Sequence, residues 1–583
     1  MTKVQLSIKA TDLPNVAGAF KGTSDPFAVV TILASDREAK PHLLGKTEVQ
    51  KNTLDPDFVK TFALDYDLGR PTNVLVKIFD KVSGGDNIPM GSAVFSIGSI
   101  LGAKGNTKAK NLRDGGKIFI RARKQKNCGS FRIKMSATGL TNLDGFFNKS
   151  DPYYQITKKD YGFRGTEWNI VHKSDYIKNN LDPEWDEEDL DLDMLCDGDL
   201  DQVFKLDLYD NESSGEHEFM GGIETCVRAL IENAGNDGGF DLAKDGETTG
   251  TLLVNSAEII GGDYGIVEEE EIEVPPDEAE DEDENKRYTF TDFISGGCEL
   301  NLCVAIDFTG SNGDPREPGT LHYMAGEEKN DYEKAIVSIG TILANYDHDK
   351  QFPVFGFGAK FDGEINHCFQ CGEDEMVSGV DGIIEAYRST FESGLVMSKP
   401  TIYTEVLQKA ASIAVVSQGQ AFSEGKQKYT VLLILTDGAV SNVEETLQCL
   451  ESIKNAPLSI VIVGIGSGDF STMNFLDNQN LAEFEGENED GNGIDVAQFV
   501  EFNAHKDDWR SLTSATLDEI PKQLSNYFQR YGIKPNPPVE IDEEEIIVEA
   551  AEEEEIDLTI DFGEDGEDIV IPSGGVYIPH HAY

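Results

Sequence analysis

The sequence has few basic residues for its length. Its 583 residues include 49 Lys and Arg against 107 Asp and Glu, so the formal net charge is −58. Phosphates of nucleic acids and anionic bilayers repel such a chain, which excludes a constitutive electrostatic partnership with either. A lipid partner would therefore require a bridging cation.

Long apolar runs are also lacking. The longest, around Val431–Leu435 and Ile460–Val463, have the length of buried strands and fall short of the roughly 18 residues that span a bilayer. The first residues, Met1–Gln5, form no apolar signal region, and Thr2 in place of glycine excludes myristoylation. We therefore expect a protein made in the cytosol and located in the cytoplasm.

Cysteine is sparse, and its scatter does not form the disulfide framework of a small secreted domain. The nine histidines are mostly isolated and assemble with no serine or cysteine into a nucleophilic arrangement, so we predict no enzymatic activity. The short motif His367–Cys371 lacks the second cysteine pair that a zinc site needs. The eight cysteines are Cys128, Cys196, Cys226, Cys298, Cys303, Cys368, Cys371 and Cys449.

The negative charge is concentrated in two segments. Residues 263–287 hold 13 acidic and two basic residues, and residues 536–583 hold 16 acidic residues and no Lys or Arg. Such compositions cannot bury enough apolar surface to fold, so we predict a disordered acidic linker at 261–287 and an acidic tail at 535–583. Uncompensated acids attract cations, and we expect the tail to fold back onto basic residues or onto metal sites.

Two blocks of about 125 residues before the linker repeat the same features in the same order. Each block has an alternating apolar strand, a polar loop that ends in Ser-Asp-Pro-aromatic, and a later strand that ends in aromatic-Asp. Short strands with Gly, Pro and Asp turns indicate β-sandwiches, so we predict two in tandem, at 1–126 and 127–260. The matching segments are Val4–Ile8 and Phe131–Met135, Ser24–Phe27 and Ser150–Tyr153, and Val76–Asp80 and Leu206–Asp210.

After the linker, strands alternate with helices across residues 288–534. This alternation predicts an α/β domain with a mostly parallel, doubly wound sheet, whose ligand crevice lies at the carboxyl ends of its strands. The predicted strands are Leu300–Ile306, Val354–Phe357, Val431–Leu435, Ile460–Val463 and Val496–Phe502, and the predicted helices are Tyr332–Tyr346, Asp381–Phe391, Glu405–Val416, Val443–Ile453 and Leu517–Tyr531.

The spacing of the acidic motifs in both blocks resembles the C2 domain, a β-sandwich in which acids from two loops share Ca²⁺. Calcium takes six to eight oxygen ligands, so several acids must converge. The resemblance favours calcium at the second block over the first. In the first block, Ala19 and Val82 stand where the family has carboxylates. In the second block Gly145 stands at such a position, and the neighbouring Asp144 is the expected substitute. The implied ligands are Asp144, Asp151, Asp210, Glu212 and Glu218 in the second block and Asp25, Asp80 and Asp86 in the first.

Basic residues cluster at the end of the first block. They could contact anionic headgroups, or they could be a solvated edge strand and a hinge between the sandwiches. The cluster is Lys117, Arg121, Arg123, Lys124 and Lys126.

The strand that ends at Asp307 leads into Thr309 and Ser311, which places one carboxylate and two hydroxyls on a turn at a carboxyl end. Together with Thr401 and Asp437, this resembles the metal-ion-dependent adhesion site of a von Willebrand factor A domain. Thr404 competes with Thr401 for the threonine position. The resemblance implies bound Mg²⁺ or Mn²⁺ with one coordination position open to a partner's acidic residue.

Three segments of the α/β domain are similar to the copines, cytosolic proteins with two C2 domains followed by a copine-type A domain. The segments are Val304–Arg316, Phe352–Ala359 and Gly382–Ser389. The family implies calcium-dependent binding to phospholipid membranes, recruitment from the cytoplasm to the plasma membrane or other membranes, and capture of protein partners by the A domain. The alternative is a calcium-independent cytosolic adaptor that binds proteins through the A-domain metal site.

Overall fold

The computed structural model describes most of the chain between residues 2 and 537 and three short strands beyond it. Ala19, Lys126, Gly145, nearly all of the acidic linker and most of the acidic tail lie outside the described residues. The described ranges are 2–17, 22–33, 41–82, 85–125, 128–144, 148–162, 165–212, 217–236, 238–261, 288–324, 328–361, 363–438, 440–471, 473, 496–506, 508–537, 548–549, 561–562 and 569–570.

The first block folds as the predicted sandwich, called here the first sandwich. Alternating residues of its opening strand, Val4, Leu6 and Ile8, are fully buried between two sheets. One sheet has the strand order β7-β8-β1-β4 and the other β3-β2-β5-β6. The elements are β1 (Thr2–Thr11), β2 (Pro26–Ile32), β3 (His42–Lys46), β4 (Phe62–Tyr66), β5 (Asn73–Asp80), β6 (Ile88–Ser96), helix α1 (Ile97–Gly102), a 3₁₀ turn Lys104–Asn106, β7 (Thr107–Asn111) and β8 (Lys117–Lys124).

The second block, called here the second sandwich, repeats this topology and confirms the duplication. The elements are β9 (Ser130–Thr138), β10 (Pro152–Gly162), β11 (Gly165–Lys173), β12 (Glu188–Asp191), α2 (Leu192–Cys196), β13 (Phe204–Asp210), β14 (Glu218–Thr225), α3 (Val227–Glu232), β15 (Phe240–Lys244) and β16 (Glu247–Ile260). Their order β11-β10-β13-β14-β15-β16-β9-β12 matches the two sheets of the first sandwich strand for strand, and one pairing, Gly222 with Ala243, joins the halves.

The residues after the linker form the predicted doubly wound domain. Its sheet has the order β22-β19-β17-β25-β26-β27 and is parallel except for the short edge strand β22. The strands are β17 (Glu299–Asp307), β18 (Gln351–Phe352), β19 (Val354–Phe357), β20 (Ala359–Phe361), β21 (Glu364–Asn366), β22 (Phe369–Gln370), β23 (Val377–Ser378), β24 (Val396–Met397), β25 (Lys428–Thr436), β26 (Leu458–Gly464) and β27 (Ala497–Glu501).

Helices cover both faces of this sheet, because alternate residues of its central strands are apolar on both sides. Val304 and Ile306 pack in one buried cluster with the helix Asp331–Leu343, whereas Cys303 and Ala305 pack in another with the helix Thr404–Ser423. The helices are α4 (Phe290–Ser295), α5 (Asp331–Leu343), α6 (Gly379–Thr390), α7 (Thr404–Ser423), α8 (Val443–Ile453), α9 (Phe502–His505), α10 (Trp509–Leu517) and α11 (Ile520–Arg530), with 3₁₀ turns Gly310–Asn312, Ala344–Tyr346 and Phe391–Ser393.

Several helices differ from the sequence prediction, which contains neither α4 nor α9 and starts α11 three residues early, at Leu517. α7 continues past Val416 because Gln418 is buried and its Oε1 accepts a hydrogen bond from the Lys428 main-chain N–H at 2.7 Å. α10 was not predicted, since its serines and threonines favour helices weakly. Burial of Leu512, Thr513 and Leu517 stabilises it instead.

The first sandwich and the α/β domain share one continuous buried core. Apolar residues of α1 and β4 join the same cluster as α4 and the turn after α5. The hydroxyls of Tyr66 and Tyr346 are hydrogen-bonded, the Thr513 hydroxyl donates to the Gly69 carbonyl at 2.8 Å, and the Lys124 Nζ lies 2.7 Å from an Asp292 carboxylate oxygen. This contact uses one residue of the predicted basic cluster.

No helix in the described part of the chain has both the length and the apolar character that crossing a bilayer requires. The short strands of the tail are β28 (Val548–Glu549), β29 (Asp561–Phe562) and β30 (Ile569–Val570).

Gly102 allows the shared core to close. A methyl group added at this position would overlap the carbonyl oxygen of Asn345. We predict that Gly102→Ala lowers the free energy of unfolding by about 1–3 kcal/mol, the usual cost of overpacking. Gly419→Ala in α7 is the control, because beyond its chain neighbours and the nearby backbone of its own helix a methyl there meets no atom within 4 Å. Urea unfolding of both variants checks this, and equal stabilities would contradict it.

Candidate metal centres

In the second sandwich, strand pairing brings the acids of two loops together. Pro152 pairs with Asp210, so Asp151 and Asp210 lie side by side at the ends of β10 and β13. The Asp151 N–H donates to Asp210 Oδ1 at 2.6 Å, and the Asn179 N–H donates to Asp151 Oδ1 at 2.7 Å. Asp210 Oδ2 is buried without a hydrogen-bond partner in the described structure. A buried carboxylate oxygen of this kind fits a cation.

Two further acids complete the group. Ligand oxygens of Asp144, Asp210 and Glu212 all lie within 4.8 Å of one another. Partial loss of hydration raises the pKa of Asp144, and the charges of Asp210 and Asp151 raise it further. Hard oxygen donors at this spacing, held together against their mutual repulsion, suit a calcium ion.

Glu218 is not one of the three acids whose oxygens converge. It pairs with Asp210 across β13 and β14, and its carboxylate is 3.6 Å from Lys244 Nζ. The structure also places His217, which the sequence did not suggest, beside this group. Its Nδ1 accepts a hydrogen bond from the Glu212 N–H at 3.1 Å. His217 also packs edge-on against Tyr153.

The first sandwich has the same scaffold with fewer acids. The Asp25 N–H donates to Asp80 Oδ1 at 2.6 Å, and the Asn52 N–H donates to Asp25 Oδ1 at 2.8 Å. Asp86 is exposed, and within the described part of this sandwich no three acidic side chains approach as closely as those of the second. Two of the three predicted ligands are therefore brought together, without the third.

In the α/β domain, the predicted residues meet at the carboxyl ends of β17 and β25. Asp307 Oδ1 accepts from the Thr309 N–H at 2.8 Å, and the Thr309 and Ser311 hydroxyls are 3.1 Å apart. The Ser311 hydroxyl donates to Asp437 Oδ1 at 3.0 Å. One hydrogen-bonded chain of oxygens thus links the two strands.

Burial governs the electrostatics of this site. Burial raises the pKa of Asp307, which is fully buried, and the charge of Asp437 raises it further. Burial also raises the pKa of Asp437. Two buried acids beside two hydroxyls form a donor set suited to a small hard cation such as Mg²⁺ or Mn²⁺.

The structure does not connect the candidate threonines to this chain of oxygens. Thr401 is tied to the loop after Asp437, because its N–H donates to the Ser441 hydroxyl at 3.1 Å and its carbonyl accepts from the Ser441 N–H at 2.8 Å. Thr404 starts α7, and its carbonyl accepts a hydrogen bond from the Cys449 thiol at 3.7 Å. The choice between them stays a prediction.

Two residues that the sequence reasoning missed support Asp307. The Thr436 hydroxyl donates to Asp307 Oδ2 at 2.7 Å, and its place directly before Asp437 could have indicated it. His322 Nε2 lies 2.9 Å from the Asp307 carbonyl oxygen and Nδ1 lies 2.6 Å from the Tyr387 hydroxyl. Burial lowers the pKa of His322 to about 3, so the ring is neutral at pH 7. No local sequence signal marks this histidine.

We predict that Asp144→Asn separates calcium binding from folding. In chelator the variant should unfold at the same temperature as the unsubstituted protein or higher, because one of several like charges is gone. Calcium at a hundredfold excess over its dissociation constant should stabilise the unsubstituted protein by about 2.7 kcal/mol, and the variant much less. Asp241→Asn, an exposed change of the same charge on β15, is the control. Equal calcium-induced shifts in both variants would contradict the prediction.

Comparison with known proteins relates all three folded parts to described families. A C2 domain model matches residues 4–112 and 131–242, and a copine model matches residues 320–536. Among solved structures, BON1-C2B is 22% identical with a TM-score of 0.21 and covers 23% of this chain and 94% of that one. The calcium-bound tandem C2 domains of Extended-Synaptotagmin 2 are 13% identical with a TM-score of 0.17, covering 45% of this chain and 98% of that one.

Curated relatives match nearly the whole chain. Copine-E of Dictyostelium discoideum is 30% identical over 550 residues, covering 92% of this chain and 88% of the relative. Copine-C of the same organism is 34% identical over 511 residues, covering 84% and 88%. With two C2 sandwiches followed by a copine α/β domain, this chain belongs to the copine family.

Proposed function

We propose that this protein binds anionic phospholipid membranes when calcium rises and recruits protein partners through its α/β domain. The observation that carries the proposal is the group formed by Asp144, Asp210 and Glu212, with a buried Asp210 oxygen that lacks a partner among the described residues. Asp151 lies beside this group and completes the residues that would hold calcium.

The net charge explains why a cation is needed. At −58 the protein is repelled by an anionic surface. Bound calcium adds positive charge at the loop ends and can itself accept phosphate or carboxylate oxygens of lipids. The protein's own part is to hold the carboxylates at the tips of β10 and β13, where a membrane can reach them. We propose no catalytic step.

The second sandwich is the better calcium sensor of the two. Both sandwiches hold their first two aspartates by the same main-chain hydrogen bonds, so the scaffold does not distinguish them. The number of ligands distinguishes the two sandwiches, because Val82 stands in the loop of the first where a carboxylate would be needed. Calcium affinity rises with the number of charged ligands.

The α/β domain would bind a second kind of cation for a different purpose. Asp307, Thr309, Ser311 and Asp437 would hold Mg²⁺ or Mn²⁺, with Thr401 as the proposed further ligand. Such a metal supplies Lewis acidity toward an acidic residue of a protein partner. The protein is proposed to be cytoplasmic at low calcium and to move to the plasma membrane or other membranes when calcium rises.

Co-sedimentation with phosphatidylserine vesicles across a calcium titration tests the membrane proposal. We expect calcium-dependent pelleting that is lost in the Asp151→Asn, Asp210→Asn double variant, or that needs at least about tenfold more calcium. Asparagine keeps an oxygen for each main-chain hydrogen bond, so the loops should retain their shape.

The matched control is the equivalent pair in the first sandwich, Asp25→Asn with Asp80→Asn, which should pellet nearly as well as the unsubstituted protein. Loss of pelleting in this control alone would overturn the assignment to the second sandwich. No pelleting even at millimolar calcium would leave the calcium-independent adaptor as the better account.

Calorimetric titration with Mn²⁺ tests the α/β site. In the Asp151→Asn, Asp210→Asn background we expect binding that weakens at least about tenfold on Asp437→Asn or Ser311→Ala, because each removes a ligand. Asp314→Asn is the control, since this nearby carboxylate is bound to exposed Arg316 instead. Equal Mn²⁺ affinities in Asp437→Asn and Asp314→Asn would contradict a metal site here.

A further inference from the structure

The acidic tail contributes a strand to the first sandwich. β28 pairs in parallel with β7, with Val548 opposite Ala109 and Glu549 opposite Lys110. The sheet order is β28-β7-β8-β1-β4, so β7 is the edge of the sandwich's own strands and β28 covers it. An uncovered edge strand presents main-chain N–H and C=O groups that can pair with another extended segment.

This edge is basic, in contrast to the acidic protein as a whole. β7 and β8 together contain six Lys and Arg and no acidic residue. Strand register places Lys108 and Lys110 opposite core residues Ile120 and Ile118, at the rim between the two sheets, with Lys110 Nζ 5.8 Å from the centre of the Phe95 ring. Lys117, Arg121 and Arg123 alternate onto the other face.

Positive charge therefore borders the edge on both of its faces. An extended segment docked there would meet basic residues whichever way its side chains alternate. Arg121 is buried and its Nε donates to the Gly105 carbonyl at 3.4 Å, which fixes part of this charge beside β7.

The tail has the complementary pattern. Residues 540–555 contain ten acidic residues and no basic ones, with the apolar run Ile546–Val548 between two acidic runs. The register sets apolar Val548 against apolar Ala109 and acidic Glu549 against basic Lys110. Strand addition at an edge is a recurring mode of peptide recognition, and an acidic segment suits a basic edge.

The chain is also long enough to reach this edge. Asn536 and Pro537, where the α/β domain ends, line a cavity together with Gly102, Ala103, Lys104 and Gly105. Gly105 lies two residues before β7. The ten residues between Pro537 and Val548 can span roughly 35 Å when extended, which is enough to connect this cavity to β7.

We propose that the edge formed by β7 and β8 is a binding site for an acidic extended segment, and that the chain's own tail, centred on Val548 and Glu549, occupies it. The docked tail neutralises the basic edge, and so leaves the calcium loops as the attractive surface. The effect of docking on membrane attraction rests on the proposed membrane function, whereas the docking of the tail does not.

Hydrogen exchange of the β7 amides in the full chain tests the docking. Val548→Pro removes a main-chain N–H and disrupts the strand while keeping every acidic residue of the tail. We expect the amides of residues 107–111 to exchange about tenfold faster in this variant, as loss of one or two net backbone hydrogen bonds would produce. Val576→Pro, farther along the tail, is the control and should leave their exchange unchanged.

A peptide of residues 540–556 tests the same site in trans, on the full-length Val548→Pro chain, whose own strand is disrupted. We expect it to bind, to restore slow exchange at residues 107–111, and to bind at least about tenfold more weakly to a Lys108→Glu, Lys110→Glu chain. Unchanged exchange in Val548→Pro, or equal binding of a scrambled peptide of the same composition, would overturn the proposal.

Phosphatidylserine vesicles separate the docking from its consequence. If the tail neutralises the edge, Val548→Pro should increase vesicle binding measured in chelator and leave the calcium-dependent increment unchanged. If Val548→Pro speeds exchange at residues 107–111 but does not change vesicle binding in chelator, the docking of the tail stands. The claim that the docked tail keeps the basic edge from anionic membranes would then be wrong.

Discussion

Two main-chain N–H groups hold Asp151 and Asp210 side by side without neutralising them, and the proposed calcium response depends on this arrangement. Folding concentrates negative charge at the tip of the second sandwich, where Asp144 and Glu212 add to it. A bound cation would relieve the repulsion within that group, so the hydrogen bonds that shape the loops would also favour calcium binding. In a protein of net charge −58, bound calcium would create an attractive surface at this tip.

Comparing the two sandwiches distinguishes residues that the fold needs from residues that the proposed calcium binding would need. Both keep the aspartates at the ends of equivalent strands, with the same main-chain donors, because those contacts close the loops. They differ at the positions that only a metal would need, Val82 in one and Glu212 in the other. The first sandwich instead shares its core with the α/β domain through Tyr66 and Tyr346, which gives it a structural role.

The sequence allowed the duplication, the parallel sheet and four linked residues of the α/β site to be predicted, because strand ends and alternation are local patterns. It could not indicate His322, whose link to the Asp307 carbonyl depends on a turn 15 residues away. The fit of Gly102 against Asn345 and the pairing of Val548 with Ala109 join segments far apart in the chain. Contacts of this kind follow from packing, which leaves no periodic trace in either partner.

The most direct test of the account is a crystal structure of the full chain grown with calcium and phased to show anomalous scatterers. We expect a calcium peak bounded by carboxylate oxygens of Asp144, Asp151, Asp210 and Glu212, with at least one coordination position facing outward from the loops. Crystals grown at millimolar calcium that show the same carboxylates without a peak among them would contradict it.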